Sequence, residues 1–95
     1  MADQIPLTSD ERAALGQRLP DWEVEGQNLC RTFLFANFGE AWTFMEQVAV
    51  EAEKLQHHPD WSNSWNRVTI AVTTHSIGSL TRLDVAFAEA VQKLL

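Results

Sequence analysis

A chain of 95 residues with 45% hydrophobic and 21% charged side chains is one folding unit with enough apolar mass for a single core, well outside the composition of disordered chains. Seven basic against thirteen acidic residues leave a net charge of −6, with Lys and Arg scattered singly, which excludes the basic face that phosphate-backbone binding demands and disfavours an anionic membrane surface. The lone cysteine, Cys30, has no internal disulfide partner, no apolar run approaches the ~20 residues of a membrane span, and the start MADQIPLTSDER lacks the basic and apolar regions of a signal peptide, so a cytoplasmic protein with one domain over residues 1–95 is expected.

Thr8-Ser9-Asp10-Glu11 has the form of a capping box and opens a first helix over residues 9–19, which Pro20 stops. Trp22 and Val24 followed by Gly26-Gln27-Asn28 predict a short strand and a turn. Leu29, Arg31, Phe33 and Phe35 then alternate with Cys30, Thr32 and Leu34 to complete a hairpin. Asn37 with Glu40 marks a second helix start, and Ala41, Phe44, Met45, Val48, Ala52 and Leu55 recur at helical spacing as one buried stripe. This central helix is expected to run to His57-His58-Pro59, because proline disfavours helical geometry in the residue before it. A further strand is expected within residues 60–66, which carry Trp61 and Trp65. Val68, Ile70 and Val72 alternating with Thr69, Ala71 and Thr73 predict the clearest strand, ending at His75. Ser76 to Ser79 is a turn, and Thr81-Arg82-Leu83-Asp84 is another capping box, opening a last helix with Leu83, Phe87, Val91 and Leu94 inward. The order α-β-β-α-β-β-α suits an α+β fold, an antiparallel sheet of about four strands with helices packed on one face.

Two of the three histidines stand in tandem where the central helix expires, and the third ends a strand. Such rims display functional groups, and an imidazole, titrating in isolation at about pH 6.5, exchanges protons near neutrality. Glu53, four residues before His57, shares its helical face and is placed to orient that ring. Asp84 is placed to approach His75 through the short connection between them. Plainer readings stand beside these: histidines that merely end a helix, Asp84 as a capping acid only, Trp61 and Trp65 as core or interface aromatics rather than a stack for a flat ligand, and Trp42 and Phe44 as packing. Three imidazoles and a carboxylate are also a zinc set in kind. Against that, neighbouring His57 and His58 point about 100° apart on a helix. Cys30 reads as a small strand residue, not a nucleophile.

Glu53, His57-His58-Pro59, Trp65, His75 and Asp84, at their spacing, together with Trp22, Gly26, the 29–35 strand, Phe38, Ala41, Phe44-Met45, Thr74, Gly78 and Leu80-Thr81, resemble the pterin-4a-carbinolamine dehydratase family. The resemblance runs from about Leu7 to the end of the chain. The chain departs in having Trp65 where that aromatic is often tyrosine, and Ser79 where the turn commonly carries a second glycine; both bear on pocket shape and turn flexibility. The resemblance implies a four-stranded antiparallel sheet with three helices on one face, assembled as a homodimer or homotetramer. It implies dehydration of 4a-hydroxytetrahydropterin to quinonoid dihydropterin and water, in the recycling of tetrahydrobiopterin, with no metal and no redox cofactor. It further implies His57 and His75 as the acid and base, in either assignment, His58 as an orienting or assisting group, Glu53 and Asp84 as carboxylates tuning the imidazoles, and Trp22 and Trp65 as substrate-binding aromatics. Some animal members also act as dimerisation cofactors of a homeodomain transcription factor, so a non-catalytic pterin-binding or protein-dimerisation module on the same fold is the alternative. A different physiological pterin, as in molybdopterin metabolism, is a third.

Overall fold

The structure, a computed structural model, describes residues 4–95. Helix α1 (Ser9–Arg18) begins as its sequence dictates: Thr8 Oγ1 accepts from the Glu11 N–H at 3.1 Å, and Glu11 Oε1 accepts from the Thr8 N–H at 3.0 Å. The helix stops before Pro20, which offers no N–H to continue it. β1 (Glu23–Glu25) and β2 (Asn28–Leu34) form the expected hairpin, with Gly26 in the left-handed region at φ 62.

Helix α2 (Phe38–Leu55) starts at Asn37, whose Oδ1 accepts from the Glu40 N–H at 2.9 Å. Its end differs from the sequence expectation. Gln56 turns left-handed at φ 52, its N–H bonds to Glu53 O, and the His57 N–H reaches back to Ala52 O at 3.0 Å. That pair of bonds is a Schellman motif with glutamine where glycine is usual. The helix therefore closes ahead of the two histidines instead of carrying them.

β3 (Asp60–Ser64) and β4 (Arg67–Val72) form a second hairpin, and α3 (Arg82–Gln92) follows a turn at Gly78. β4 stops at Val72, two residues short of Thr74, which instead bridges Ser79 across the turn. The α-β-β-α-β-β-α order and the four-stranded antiparallel sheet are as expected, with spatial order β1-β2-β4-β3. Register places Leu29 opposite Val72 and Phe33 opposite Val68, so their side chains share the helix-facing side of the sheet. There they meet Ala41, Phe44, Val48 and Ala52 of α2 and Val85, Phe87, Ala88 and Val91 of α3. Each large apolar side chain so buried contributes roughly 1.5–3 kcal/mol. The α1 helix adds Leu15 to this core, and the Arg18–Glu89 and Arg82–Glu11 ion pairs tie it to α3. No helix among the described residues is long and apolar enough to cross a membrane.

Candidate active site

The chain reversal at Gln56 decides where the tandem histidines go. His57 turns inward, 8% exposed, and His58 stays at the surface. His57 Nε2 stands 2.5 Å from Asp84 Oδ1, and its ring meets Phe87 edge-on. Asp84 occupies the third position of α3 and is fully buried. Its Oδ2 accepts from the Thr81 N–H at 2.9 Å and from the Thr74 hydroxyl at 2.9 Å, while the Thr74 and Thr81 hydroxyl oxygens lie 2.8 Å apart. The capping acid of α3 is therefore also the partner of a histidine from the far end of α2. His58 Nε2 lies 3.0 Å from Glu53 Oε2, and His75 Nε2 lies 3.4 Å from Asp60 Oδ2; both of these pairs are exposed.

The ends of α2 and β4 enclose a cleft of about 270 Å³ lined by His57, His58, Thr73, Thr74, His75 and Ser76, with Gln4 and Gln56 beside them. All three histidines of the chain open onto it. A slightly larger hollow between α1 and α3 is walled by Leu7, Ala14, Leu15 and Val85 and by fixed charges. It holds no side chain of the kind that exchanges protons near neutrality, whereas the smaller cleft holds three.

Two expected pairings are corrected by this geometry. Glu53 reaches His58, not His57, because the Schellman motif ends the helical four-residue spacing before His57. Asp84 reaches His57, not His75, because the first turn of α3 lies against the end of α2; the carboxylate beside His75 is Asp60, at the start of β3. Trp22 packs in the core, 5% exposed and edge-on to Phe33 at 5.9 Å, and Trp65 stands exposed at the β3–β4 turn, so neither lines the cleft. Among the described residues, no group of three or more His, Cys, Asp or Glu side chains is arranged to hold a metal ion.

Sequence reasoning missed Thr74, Thr81 and Asp60 as parts of the histidine surroundings. Thr81 carried a signal as a helix cap, and Thr74 as the neighbour of His75, but strand and cap residues are too common for either to stand out. Cys30, by contrast, behaves as read: burial, with Glu25 and Glu23 beside it, pushes its thiol up to about 11, away from nucleophilic use.

The family model described as Pterin 4 alpha carbinolamine dehydratase matches residues 5–94 of this chain. A Rhizorhabdus wittichii protein bearing the provisional name pterin-4-alpha-carbinolamine dehydratase is 50% identical over 91 residues, which cover 94% of each chain. A Synechococcus sp. protein of the same provisional name is 47% identical over 94 residues, 99% of each chain. The crystal structure of a transcriptional coactivator/pterin dehydratase from Brucella melitensis superposes with a TM-score of 0.89 at 38% identity, covering 95% of this chain and 98% of that one.

Proposed function

Because the chain belongs to the pterin-4a-carbinolamine dehydratase family, we propose that it removes water from 4a-hydroxytetrahydrobiopterin to give the quinonoid dihydropterin, returning the cofactor of aromatic amino-acid hydroxylation to its cycle. The observation that carries this reading is the convergence of all three imidazoles on one cleft. Loss of water from the carbinolamine needs one proton delivered to the departing 4a-hydroxyl and one taken from a ring nitrogen. Two histidines do both, and general acid and base catalysis is worth about 10²- to 10⁴-fold for each group. His57 and His75 are the acid and base of this reading, and His58 orients the substrate. Each ring has its own carboxylate, Asp84, Asp60 and Glu53 respectively, and the buried one, Asp84, fixes the orientation that an acid–base histidine requires of His57.

Absorbance decay of 4a-hydroxytetrahydropterin, generated in place by an aromatic amino-acid hydroxylase, tests the reading. The wild-type protein accelerates the decay, and His57→Ala and His75→Ala each lose about 10²-fold or more of that acceleration while keeping the fold. No acceleration by folded wild-type protein would reject it. A second reading, a pterin-binding or dimerisation module without turnover, draws on the paired description of the Brucella melitensis neighbour as coactivator and dehydratase. It predicts pterin or partner binding with no acceleration. In either reading the protein acts as a homodimer or homotetramer, as the family resemblance suggests.

A further inference from the structure

We propose that Thr74 is a positioning residue of the acid–base site: with Thr81 it forms a one-way chain of hydroxyls that holds Asp84 against the Nε2–H of His57 and leaves Nδ1 as the ring nitrogen that exchanges a proton with substrate. This rests on the dehydratase reading above for its catalytic consequence, though not for its structural part.

The direction of every hydrogen in the chain follows from counting donors. Asp84 as a carboxylate has acceptors only, so Thr74, 2.9 Å from Oδ2, must donate to it, and that commits the single hydroxyl hydrogen of Thr74. Between Thr74 and Thr81, 2.8 Å apart, Thr81 must then be the donor. The Thr81 oxygen in turn accepts from the Leu83 N–H at 3.2 Å. The order is Leu83 N–H to Thr81, Thr81 to Thr74, Thr74 to Oδ2, with the Thr81 N–H arriving at the same Oδ2. Both donors converge on one carboxylate oxygen and leave Oδ1 to face Nε2. A neutral imidazole has one ring hydrogen. Placed on Nε2 by Asp84, it leaves the Nδ1 lone pair as the base, and Nδ1–H as the acid once that nitrogen has taken a proton.

The chain is shielded from water, since Thr74 is 2% exposed and Thr81 and Asp84 are 0% exposed. No solvent molecule can take over the role of a missing hydroxyl without a rearrangement. Thr74 is itself held by the bridge to Ser79 and by the Ile77 and Gly78 N–H groups, both bonded to its carbonyl. The next residue is His75, so one anchored threonine fixes the backbone of one catalytic histidine and, through Asp84, the ring of the other.

A purely structural hydroxyl would affect melting and nothing else. The test therefore compares wild type with Thr74→Val, which keeps the shape and removes the hydroxyl, and Thr74→Ser, which keeps the hydroxyl. Ring nitrogens are read by ¹⁵N-detected NMR, and kcat and KM by the decay of 4a-hydroxytetrahydropterin. Expected are a hydrogen on Nε2 and none on Nδ1 of neutral His57 in the wild type. Thr74→Val mixes the two tautomers and lowers kcat about tenfold with KM changed less than about twofold, and Thr74→Ser recovers most of kcat. A wild-type His57 carrying its hydrogen on Nδ1 overturns the proposal, as does a folded Thr74→Val protein with wild-type kcat and an unmixed Nε2–H tautomer. If Thr74→Val does not fold, the wild-type spectrum and Thr74→Ser decide. Absence of turnover in folded wild type would reject the dehydratase reading alone, because the tautomer measurement needs no substrate.

Discussion

The three imidazoles of the cleft differ in their surroundings more than in their partners. His57 and Asp84 are dry, so their interaction escapes salt screening, whereas the His58–Glu53 and His75–Asp60 pairs are exposed and worth little by themselves. Cys30 shows burial acting on a different group. It lies on β2 beside the buried Leu29 and, by strand alternation, points to the other face of the sheet, where desolvation first and the Glu25 carboxylate second raise its thiol from 9.0 to about 11. A raised thiol pKa means that the folded state holds its proton more tightly. The contribution to stability is fully present below pH 9 and is lost as pH rises through about 11. Iodoacetamide at pH 8 should accordingly modify Cys30 about a hundredfold more slowly in the folded protein than in urea, the ratio of thiolate fractions two pKa units apart. Equal rates would show that the thiol is neither desolvated nor held by its acidic neighbours.

At the level of elements, the three helix starts were legible, as was the end of α1 at Pro20, but the end of α2 was not. Thr8, Asn37 and Thr81 each carry a side chain that accepts from the helix they open, and side-chain chemistry of that kind is written in the sequence. The end of α2 rests on a backbone conformation that glycine usually announces, and here glutamine adopts it, so the redirection of His57 toward Asp84 had no local signal. Likewise β3, Asp60-Trp61-Ser62-Asn63-Ser64, is an edge strand almost wholly exposed on both faces and shows no apolar alternation, so its sequence places it only within residues 60–66 without bounds. The three histidines and their rim placement were legible from spacing; the exchange of carboxylate partners was not. The turn joining β3 to β4 carries its own strain, since Trp65, a residue 64% exposed, sits at φ 51. Trp65→Gly should raise stability by about 0.5–1 kcal/mol, read as a higher urea midpoint, because glycine adopts that conformation without steric cost. KM should not move, as the ring stands away from the cleft. A lowered midpoint would mean that the exposed ring contributes more packing than the turn costs in strain.

Across the whole molecule, Asp84 joins the end of α2, the extension of β4 and the first turn of α3 through one carboxylate. Asp84→Ala leaves an imidazole, a hydroxyl and a backbone N–H without their acceptor, at a cost of about 3 kcal/mol or more. For a domain of this size that lowers Tm by about 10–20 °C, measurable by circular dichroism, and it is a large share of the roughly 5–15 kcal/mol that holds such a domain folded. A fall of only a degree or two would show that the three groups find other partners. The sheet order β1-β2-β4-β3 has a further, kinetic meaning. Each hairpin closes over a two-residue turn and forms cheaply, but the central β2–β4 pairing, Leu29 with Val72, closes only after the whole of α2 and the second hairpin have been brought round, at a larger entropic cost. His57 precedes the second hairpin and Asp84 follows it. Their meeting therefore belongs to the end of folding, and a chain with both hairpins formed but not yet docked lacks the His57–Asp84 pair altogether.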